Sequence, residues 1–384
     1  MTEARDRAHR LGTHRLPPPV GLAPADALGA VLAEALRARS DVPAADASAM
    51  DGFAVSGPGP WQVRGRVLAG GAPAAALQPG DAVEVATGAL VPAGCERVLP
   101  VEVVDVAAGV LRLVGDEPGR RHVRPRGEEC VQGEELLPAG RRVTASVAGL
   151  AAGTGTDVLQ VRRPPRVHAL VTGDEIVTSG LPVPGQVRDA VGPLLPDAVR
   201  TLGGTLSASE RCGDAVGELD AALETMLASD ADVLLTCGMA GAGPADRLRP
   251  WLAQVGARLV VDGVAVRPGH PQVLAQLPDG RPLVGLPGNP LAAVAALLVL
   301  LRPLLAGMTG AEPGPPPHAL LTGWQPRGRP VTSLVPVRHA GPGRVEPSGP
   351  AGPAQLRGLA AADAVALVPP GWDPSTPVEL LPRP

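Results

Sequence analysis

The sequence predicts a multidomain chain of α/β-plus-β class: a doubly wound α/β domain with a β module ahead of it and a small β domain behind it. Three observations carry that prediction. From Arg166 onward, apolar strand runs alternate with helical stretches, the order that a parallel sheet covered by helices requires. Between residues 41 and 135, and again after 318, the pattern is instead short Val/Leu runs broken by Gly and Pro. Between them, Leu283–Leu286, the turn Pro287-Gly288-Asn289-Pro290 and the all-round apolar stretch Leu291–Leu301 read as a buried strand, a tight loop and a buried helix. A length of 384 residues suggests about two to four domains.

Taken in order, residues 1–23 are expected to be loose, with Pro17-Pro18-Pro19 marking an extended piece. Pro24–Arg37 reads as a helix with Leu28, Val31, Leu32 and Leu36 as its stripe. Asp51-Gly52 is a turn into the strand Phe53–Val55, followed by strands at Val63–Leu68, Ala82–Ala86, Arg97–Val104 and Val110–Val114. The loop 86–94 either exposes the Thr87 hydroxyl and backbone N–H groups to a ligand or is an ordinary hairpin connection. Residues 138–164 return from the β module to pack near the first helix. The α/β strands are expected at Val167–Val171, Leu206–Glu210, Ala231–Leu235 and Leu283–Leu286, and its helices at Leu194–Leu202, Val216–Leu227, Ala245–Val255 and Leu291–Leu301. After the linker 311–317 come strands at Ala319–Leu321, Val331–Val337, Arg344–Pro347, Ala364–Val368 and Pro377–Leu381. The domain boundaries drawn are 1–40 with 136–165, 41–135, 166–309 and 310–384.

The net charge of −4 gives no reason to expect nucleic acid or an anionic membrane as partner. The run Leu291–Leu301, ended by Arg302, is too short to span a bilayer. Cys95, Cys130, Cys212 and Cys237 form no C-x-x-C pair and fit a reducing compartment, so a cytoplasmic location is expected. All the basic residues are Arg, a skew of composition before it is a sign of function. Loops 172–175, 236–246 and 287–290 each follow a strand, so they share the C-terminal edge of a parallel sheet, where ligands of open α/β folds bind. Pro290 suits the first helical position, and Gly288 allows a close backbone approach. The first-turn N–H groups are then expected to face an anion. Asp174, Glu175, Asp214 and Asp246 around such a pocket suggest a hard cation, Mg²⁺, held against phosphates, although each acid singly is an ordinary cap or solvated charge. Arg267-Pro268-Gly269-His270-Pro271 adds positive charge.

Met50-Asp51-Gly52-Phe53-Ala54-Val55, Thr87-Gly88-Ala89, Thr172-Gly173-Asp174-Glu175, Pro268-Gly269 and Leu286-Pro287-Gly288-Asn289-Pro290 stand in the order, and at about the spacing, of one family. Over nearly its whole length the chain resembles the molybdopterin molybdenumtransferases, which include MoeA and the E domain of gephyrin. The resemblance implies insertion of molybdenum from molybdate into adenylylated molybdopterin, with Mg²⁺-dependent release of AMP. It implies an elongated N-terminal linking domain, an inserted β domain, a molybdopterin-binding α/β domain and a small C-terminal β-barrel-like domain. It also implies a homodimer that brings Asp51 and Thr87 near the partner's α/β site, with a molybdopterin adenylyltransferase and molybdoenzyme apoproteins as further candidate partners. By position, Asp51, Thr87, Glu175, Asp214 and Asp246 take catalytic roles, and Glu175, Asp214 and Asp246 hold the metal. Gly173, Asp174, Gly238, Arg267, Gly269, His270, Pro287, Gly288, Asn289 and Pro290 take substrate-binding roles.

The departures cluster. The family's Thr-Ser-Gly-Gly-Val-Ser-Val-Gly loop is Thr236-Cys237-Gly238-Met239-Ala240-Gly241-Ala242-Gly243, and its Lys-Pro-Gly-Lys-Pro is Arg267-Pro268-Gly269-His270-Pro271. Ala292 replaces a serine, and Asp189-Ala190-Val191 replaces Asp-Ser-Asn. Donors suited to an oxyanion are lost, and His270 makes the remaining positive charge pH-dependent. The alternative is therefore a divergent, non-catalytic paralogue that carries molybdopterin or its nucleotide.

Overall fold

The computed structural model describes the whole chain apart from residues 117–118, 242, 244–245, 313 and 326–330. Ala242 and Ala245, which the expected loop and helix include, lie outside the described residues. Residues 166–286 supply a six-stranded sheet in the order Thr205–Cys212, Arg166–Thr172, Val233–Cys237, Pro282–Leu286, Val273–Gln276, Arg258–Asp262. The first four strands run parallel, Val273–Gln276 runs antiparallel to them, and Arg258–Asp262 pairs antiparallel to Val273–Gln276. Strands Val233–Cys237 and Pro282–Leu286 are buried at every position. They are unbroken apolar runs because helices cover both faces of the parallel part.

Those helices are Leu195–Thr201, Val216–Ala228, Leu248–Gln254 and a continuous core helix, Pro290–Thr309. The core helix outruns the apolar stretch that announced it. Every residue of Leu291–Leu301 is buried, as expected, but the helix continues past Arg302 to Thr309. By length and composition it could cross a membrane, yet 83% of its most apolar window is buried inside the protein, which marks a core helix. Pro303 lies within it. Proline removes one helical hydrogen bond and crowds the carbonyl four residues back, and the widened π-helical turn Leu297–Leu301 accommodates both effects.

Two expectations for the N-terminal region are corrected. Residues Thr2–Thr13 form a helix rather than a loose segment. Its buried stripe, Ala4, Ala8 and Leu11, is small and was masked by surrounding charge, but it belongs to the α/β core. A Cβ on Gly12 would lie 2.2 Å from the Leu304 carbonyl oxygen, and one on Gly307 would lie 2.2 Å from that of His9. The two helix backbones thus cross in direct contact, which only glycine permits. Pro24–Arg37 is not a helix but a turn followed by strands Val31–Leu32 and Leu36–Arg37. Gly29, at φ +83°, breaks the helical path. Leu32 and Val31 pair with Val161 and Arg162, and Leu36–Arg37 pairs with Glu135–Leu137. Long-range pairing therefore claims the residues that had looked like a helical stripe. Helix Ala145–Gly153 and strand Leu159–Arg162 complete this domain's small core.

The inserted module is a six-stranded sheet in the order Arg97–Pro100, Gly52–Val55, Asp81–Val85, Trp61–Val67, Val110–Leu113, Val104–Ala107. The single strand expected over Arg97–Val104 is split by a short 3₁₀ turn, Val101–Val103, directly after Pro100. At the C-terminus, Thr332–Gly341, Arg344–Pro347, His318–Leu321, Val378–Pro382 and Ala364–Val368 close into a five-stranded barrel, because the last strand pairs back onto the first. Val266–Arg267 of the α/β domain pairs with Thr332–Ser333 and fastens the barrel in place.

Gly12→Ala tests the helix crossing. Alanine gains about 1 kcal/mol of helix propensity. Overpacking of a tight contact costs about 1–3 kcal/mol, so the clash prevails and urea unfolding shows a less stable protein. Unchanged or greater stability would mean that the crossing has slack.

Candidate functional site

The loops that follow three adjacent parallel strands meet at glycines. Gly238 has φ +113°, and a Cβ there would lie 2.4 Å from the Thr172 carbonyl oxygen and 2.7 Å from its Oγ1. A Cβ on Gly288 would lie 3.5 Å from Gly238 Cα. The Gly238 N–H donates to the Leu286 carbonyl at 3.3 Å, and the Thr172 hydroxyl donates to the Cys237 carbonyl at 3.3 Å. Loops 172–175, 236–246 and 287–290 therefore do converge at the sheet's C-terminal edge.

The helix N-terminus differs from expectation. Pro290 occupies the first helical position, and Gly288 and Asn289 are exposed on the loop, with Pro287 buried beneath them. The first-turn donors are not free: Leu291 N–H and Ala292 N–H donate to the Pro353 carbonyl at 2.9 and 3.3 Å, and Ala293 N–H to Asn289 at 2.8 Å. A carbonyl from the C-terminal domain occupies the place predicted for an anion, because a buried helix end needs acceptors for its orphan N–H groups.

The acids also hold backbone. Asp174 Oδ1 accepts from Asp214 N–H at 2.9 Å, and Asp214 Oδ2 accepts from Asp174 N–H at 3.3 Å, a reciprocal clamp between neighbouring loops. The Glu175 carboxylate lies over Gly173, whose Cβ would meet its Oε2 at 2.5 Å. Asp246 accepts from Gly241 N–H at 2.8 Å and from Gly243 N–H at 2.7 Å, pinning the Gly-rich loop. Among the described residues no three His, Cys, Asp or Glu side chains gather as a metal site. Glu175, Asp214 and Asp246, expected to hold a metal, sit on separate loops, where Asp214 and Asp246 each also anchor backbone amides. Sequence reasoning missed Arg249. Its Nη1 donates to the Ala240 and Gly241 carbonyls at 2.8 and 2.6 Å, while its Nε donates to Asp262 at 2.7 Å. A cation in the first turn of the helix after a Gly-rich loop was the available signal.

A cavity of about 710 Å³ opens beside this edge, between Val266–His270 and the barrel residues Trp324, Gln325, Ser333 and Gly349–Pro353. Arg267 is exposed and precedes a cis peptide to Pro268. Gly269, at φ +101°, passes so close to the core helix that a Cβ would lie 2.9 Å from the Ala292 carbonyl oxygen. His270 Nδ1 lies 2.8 Å from the Val264 carbonyl, a bond that fixes the proton on Nδ1. Trp324 packs edge-on against Trp372, with centroids 5.9 Å apart. This barrel wall lay too far along the chain to be read from local pattern.

In the inserted module, Thr87 donates to Asp51 Oδ1 from its backbone N–H at 2.7 Å and from its hydroxyl at 2.9 Å. The pair is exposed, and the module it stands on has its own hydrophobic cores, separate from that of the α/β loops.

Residues 1–155 match the MoeA N-terminal region, domains I and II, and residues 168–307 match the probable molybdopterin binding domain. The chain is 33% identical over 371 residues to molybdopterin molybdenumtransferase 2 of Mycobacterium tuberculosis strain H37Rv, covering 91% of each. It is 33% identical over 289 residues to the molybdopterin molybdenumtransferase of Synechococcus elongatus, covering 72% of each. The chain belongs to the molybdopterin molybdenumtransferase family. A molybdopterin biosynthesis MoeA protein of Pyrococcus horikoshii superposes with a TM-score of 0.71 at 25% identity, covering 99% of this chain and 98% of its own. The fold is MoeA-like along the full chain.

Within that family the departures acquire physical causes. A Cβ on Gly241 would sit 2.5 Å from Asp246 Oδ2, so the family serine does not fit this loop conformation. Cys237, in place of a serine, is buried with its thiol pushed up to about 12 by desolvation and then by the Asp189 charge. Its Sγ lies 3.5 Å from the Pro287 carbonyl. It is a neutral spacer between loops rather than a nucleophile. Asp189 keeps a capping role, accepting from Val191 N–H at 3.0 Å and Gly192 N–H at 2.8 Å. Val191 is part of the hydrophobic core.

Hydrogen bonds from the Thr87 N–H and then its hydroxyl hold the Asp51 carboxyl below the usual range. A depressed folded-state pKa stabilises the protein above the unfolded value, and that contribution is lost as pH falls through the folded value. Thr87→Val removes the hydroxyl but keeps the stronger N–H. Carboxyl NMR titration then shows the Asp51 pKa rising part-way towards normal. An unmoved titration would mean that the hydroxyl bond does not persist in solution.

Proposed function

We propose that this chain transfers molybdenum from molybdate into adenylylated molybdopterin, with Mg²⁺-dependent release of AMP. The observation that carries this reading is the pairing of two adjacent features within a chain of this family. One is a glycine-walled convergence of three loops edged with carboxylates; the other is the cavity between Arg267–His270 and the barrel. The exposed backbone of Gly288 and Asn289 and the loop pinned by Asp246 suit a nucleotide's phosphates. The second cavity, with Arg267 at its mouth and Ser333 on its wall, suits an oxyanion such as molybdate. Mg²⁺ usually takes one or two carboxylates and fills its shell with substrate oxygens, so a site without an all-protein cage fits it, with Asp246 as the carboxylate on the Gly-rich loop. When bound, the ion neutralises phosphate charge. Arg249 and Asp246 hold the loop in the conformation that receives the phosphates, and the barrel wall excludes water from the oxyanion.

A homodimer with a composite site belongs to the same reading, because Asp51 and Thr87 stand on a different module from Asp246. The second reading, a carrier that binds molybdopterin or its nucleotide without inserting the metal, is favoured by one observation: the core helix's first-turn donors are already taken by Pro353.

Two experiments bear on the first reading. Asp246→Asn removes the charge but keeps one acceptor for the loop, so Mg²⁺ affinity measured by calorimetry with the adenylylated pterin bound falls roughly 10–100-fold. Unchanged affinity would confine Asp246 to holding its loop. Mixing Asp51→Ala with Asp246→Asn subunits restores activity if each site draws on both chains. A mixed preparation as inactive as its parents would place the whole site within one chain.

A further inference from the structure

A second cavity, of about 540 Å³, lies where the N-terminal helix, the core helix and segment 140–144 of the N-terminal domain meet. It is separate from the site above and shares no residue with it. Its wall carries Arg5, Arg141, Arg142 and Arg302, against the carboxylates of Asp6 and Glu312 and the imidazole of His9. Four guanidiniums thus face two wall carboxylates, and Arg5 and Arg302 share a third, Glu379. Arg302, on the core helix, is half-buried and makes no hydrogen bond or ion pair among the described residues. Its neighbour Arg5 takes the nearby Glu379 at 2.9 Å. Burial, and then the Arg5 charge, push the Arg302 pKa down. Arg142, which is exposed, donates to the Arg200 and Thr201 carbonyls at 3.0 and 3.3 Å, which orients its guanidinium without a carboxylate.

A half-buried guanidinium that shares its one nearby carboxylate with a second guanidinium is under-neutralised. Half-buried Arg302 and exposed Arg142 beside one cavity match a dianion better than a single carboxylate, and their planar forks suit phosphoryl oxygens. The rest of the wall offers apolar surface from Val31, Leu202, Pro303 and Ala306. We propose that this cavity is an anion site for a small organic phosphate, its oxygens facing Arg302 and Arg142 and its body lying against the apolar wall. A ligand there bridges the α/β domain and the N-terminal domain, and so ties together the two parts of the chain that the N-terminal helix and the segment 140–144 represent.

The probe is inorganic phosphate at millimolar concentration and constant ionic strength, read as the thermal midpoint of the full chain. A ligand that binds only the folded state raises the midpoint with a saturable dose dependence. The wild type is expected to show that rise, with acetate giving a smaller one. Arg302→Met keeps the stem length, removes the charge and takes away most of the phosphate increment. Arg142→Gln, outside the core helix, is the second variant with the same readout. Arg267→Ala, in the other cavity, keeps the part of the increment that Arg302→Met removes, so failure here is distinguishable from failure of the proposed transferase site. No saturable rise in the wild type, an equal rise in both Arg302→Met and Arg142→Gln, or loss of the rise in Arg267→Ala would overturn the assignment. A rise with acetate as large as that with phosphate would overturn the phosphate class.

Discussion

The burial on all sides of Leu291–Leu301, within the helix Pro290–Thr309, is the constraint from which the rest of the molecule follows. A helix with no polar face has to be covered all round, and each cover is a different part of the chain. The parallel sheet lies along one side and the N-terminal helix crosses another, backbone against backbone at Gly12 and Gly307. The C-terminal domain closes the end, where Pro353 accepts from the first-turn N–H groups. Once a carbonyl caps the helix, its first-turn N–H groups are engaged within the protein.

The loops at the sheet edge are governed by backbone approach rather than by side-chain reach. Gly238 and Gly288 let three loops touch, and Asp174, Asp214 and Asp246 spend hydrogen-bonding capacity on keeping them in place. This explains why the residues that depart from the family pattern do so together. The glycine at 241 leaves room for the Asp246 carboxylate, a thiol at 237 fills the space beneath Pro287, and a valine at 191 joins the core. These substitutions exchange side-chain donors for a tightly tied backbone, a coherent alternative packing of the same edge.

How much of this was legible depended on the range of the interaction. The four parallel strands of the α/β domain and the barrel strands were readable as dense local runs of Val and Leu, whereas the sheet's other two strands, Arg258–Asp262 and Val273–Gln276, were not read. The convergence of loops followed from topology alone once the strands were placed. The N-terminal helix was missed because a stripe of two alanines and a leucine is a weak periodic signal among so many charges. Pro24–Arg37 was misread because its helical spacing was real, but pairing with residues 135–137 and 161–162 and the positive φ of Gly29 prevailed. Whether an acid binds a cation or its own loop depends on backbone geometry that no spacing rule contains, and the barrel wall around Trp324 becomes a neighbour of Arg267 only after folding.

The central claim is that a chain with this oxyanion cavity still inserts molybdenum. The most direct measurement is single-turnover incubation of the purified protein with adenylylated molybdopterin, Mg²⁺ and molybdate, quantifying pterin-bound molybdenum and AMP together. The account predicts that both form in equal amounts and that neither forms without molybdate. Tight retention of the adenylylated pterin with no molybdenum incorporated would contradict it and would make the protein a carrier.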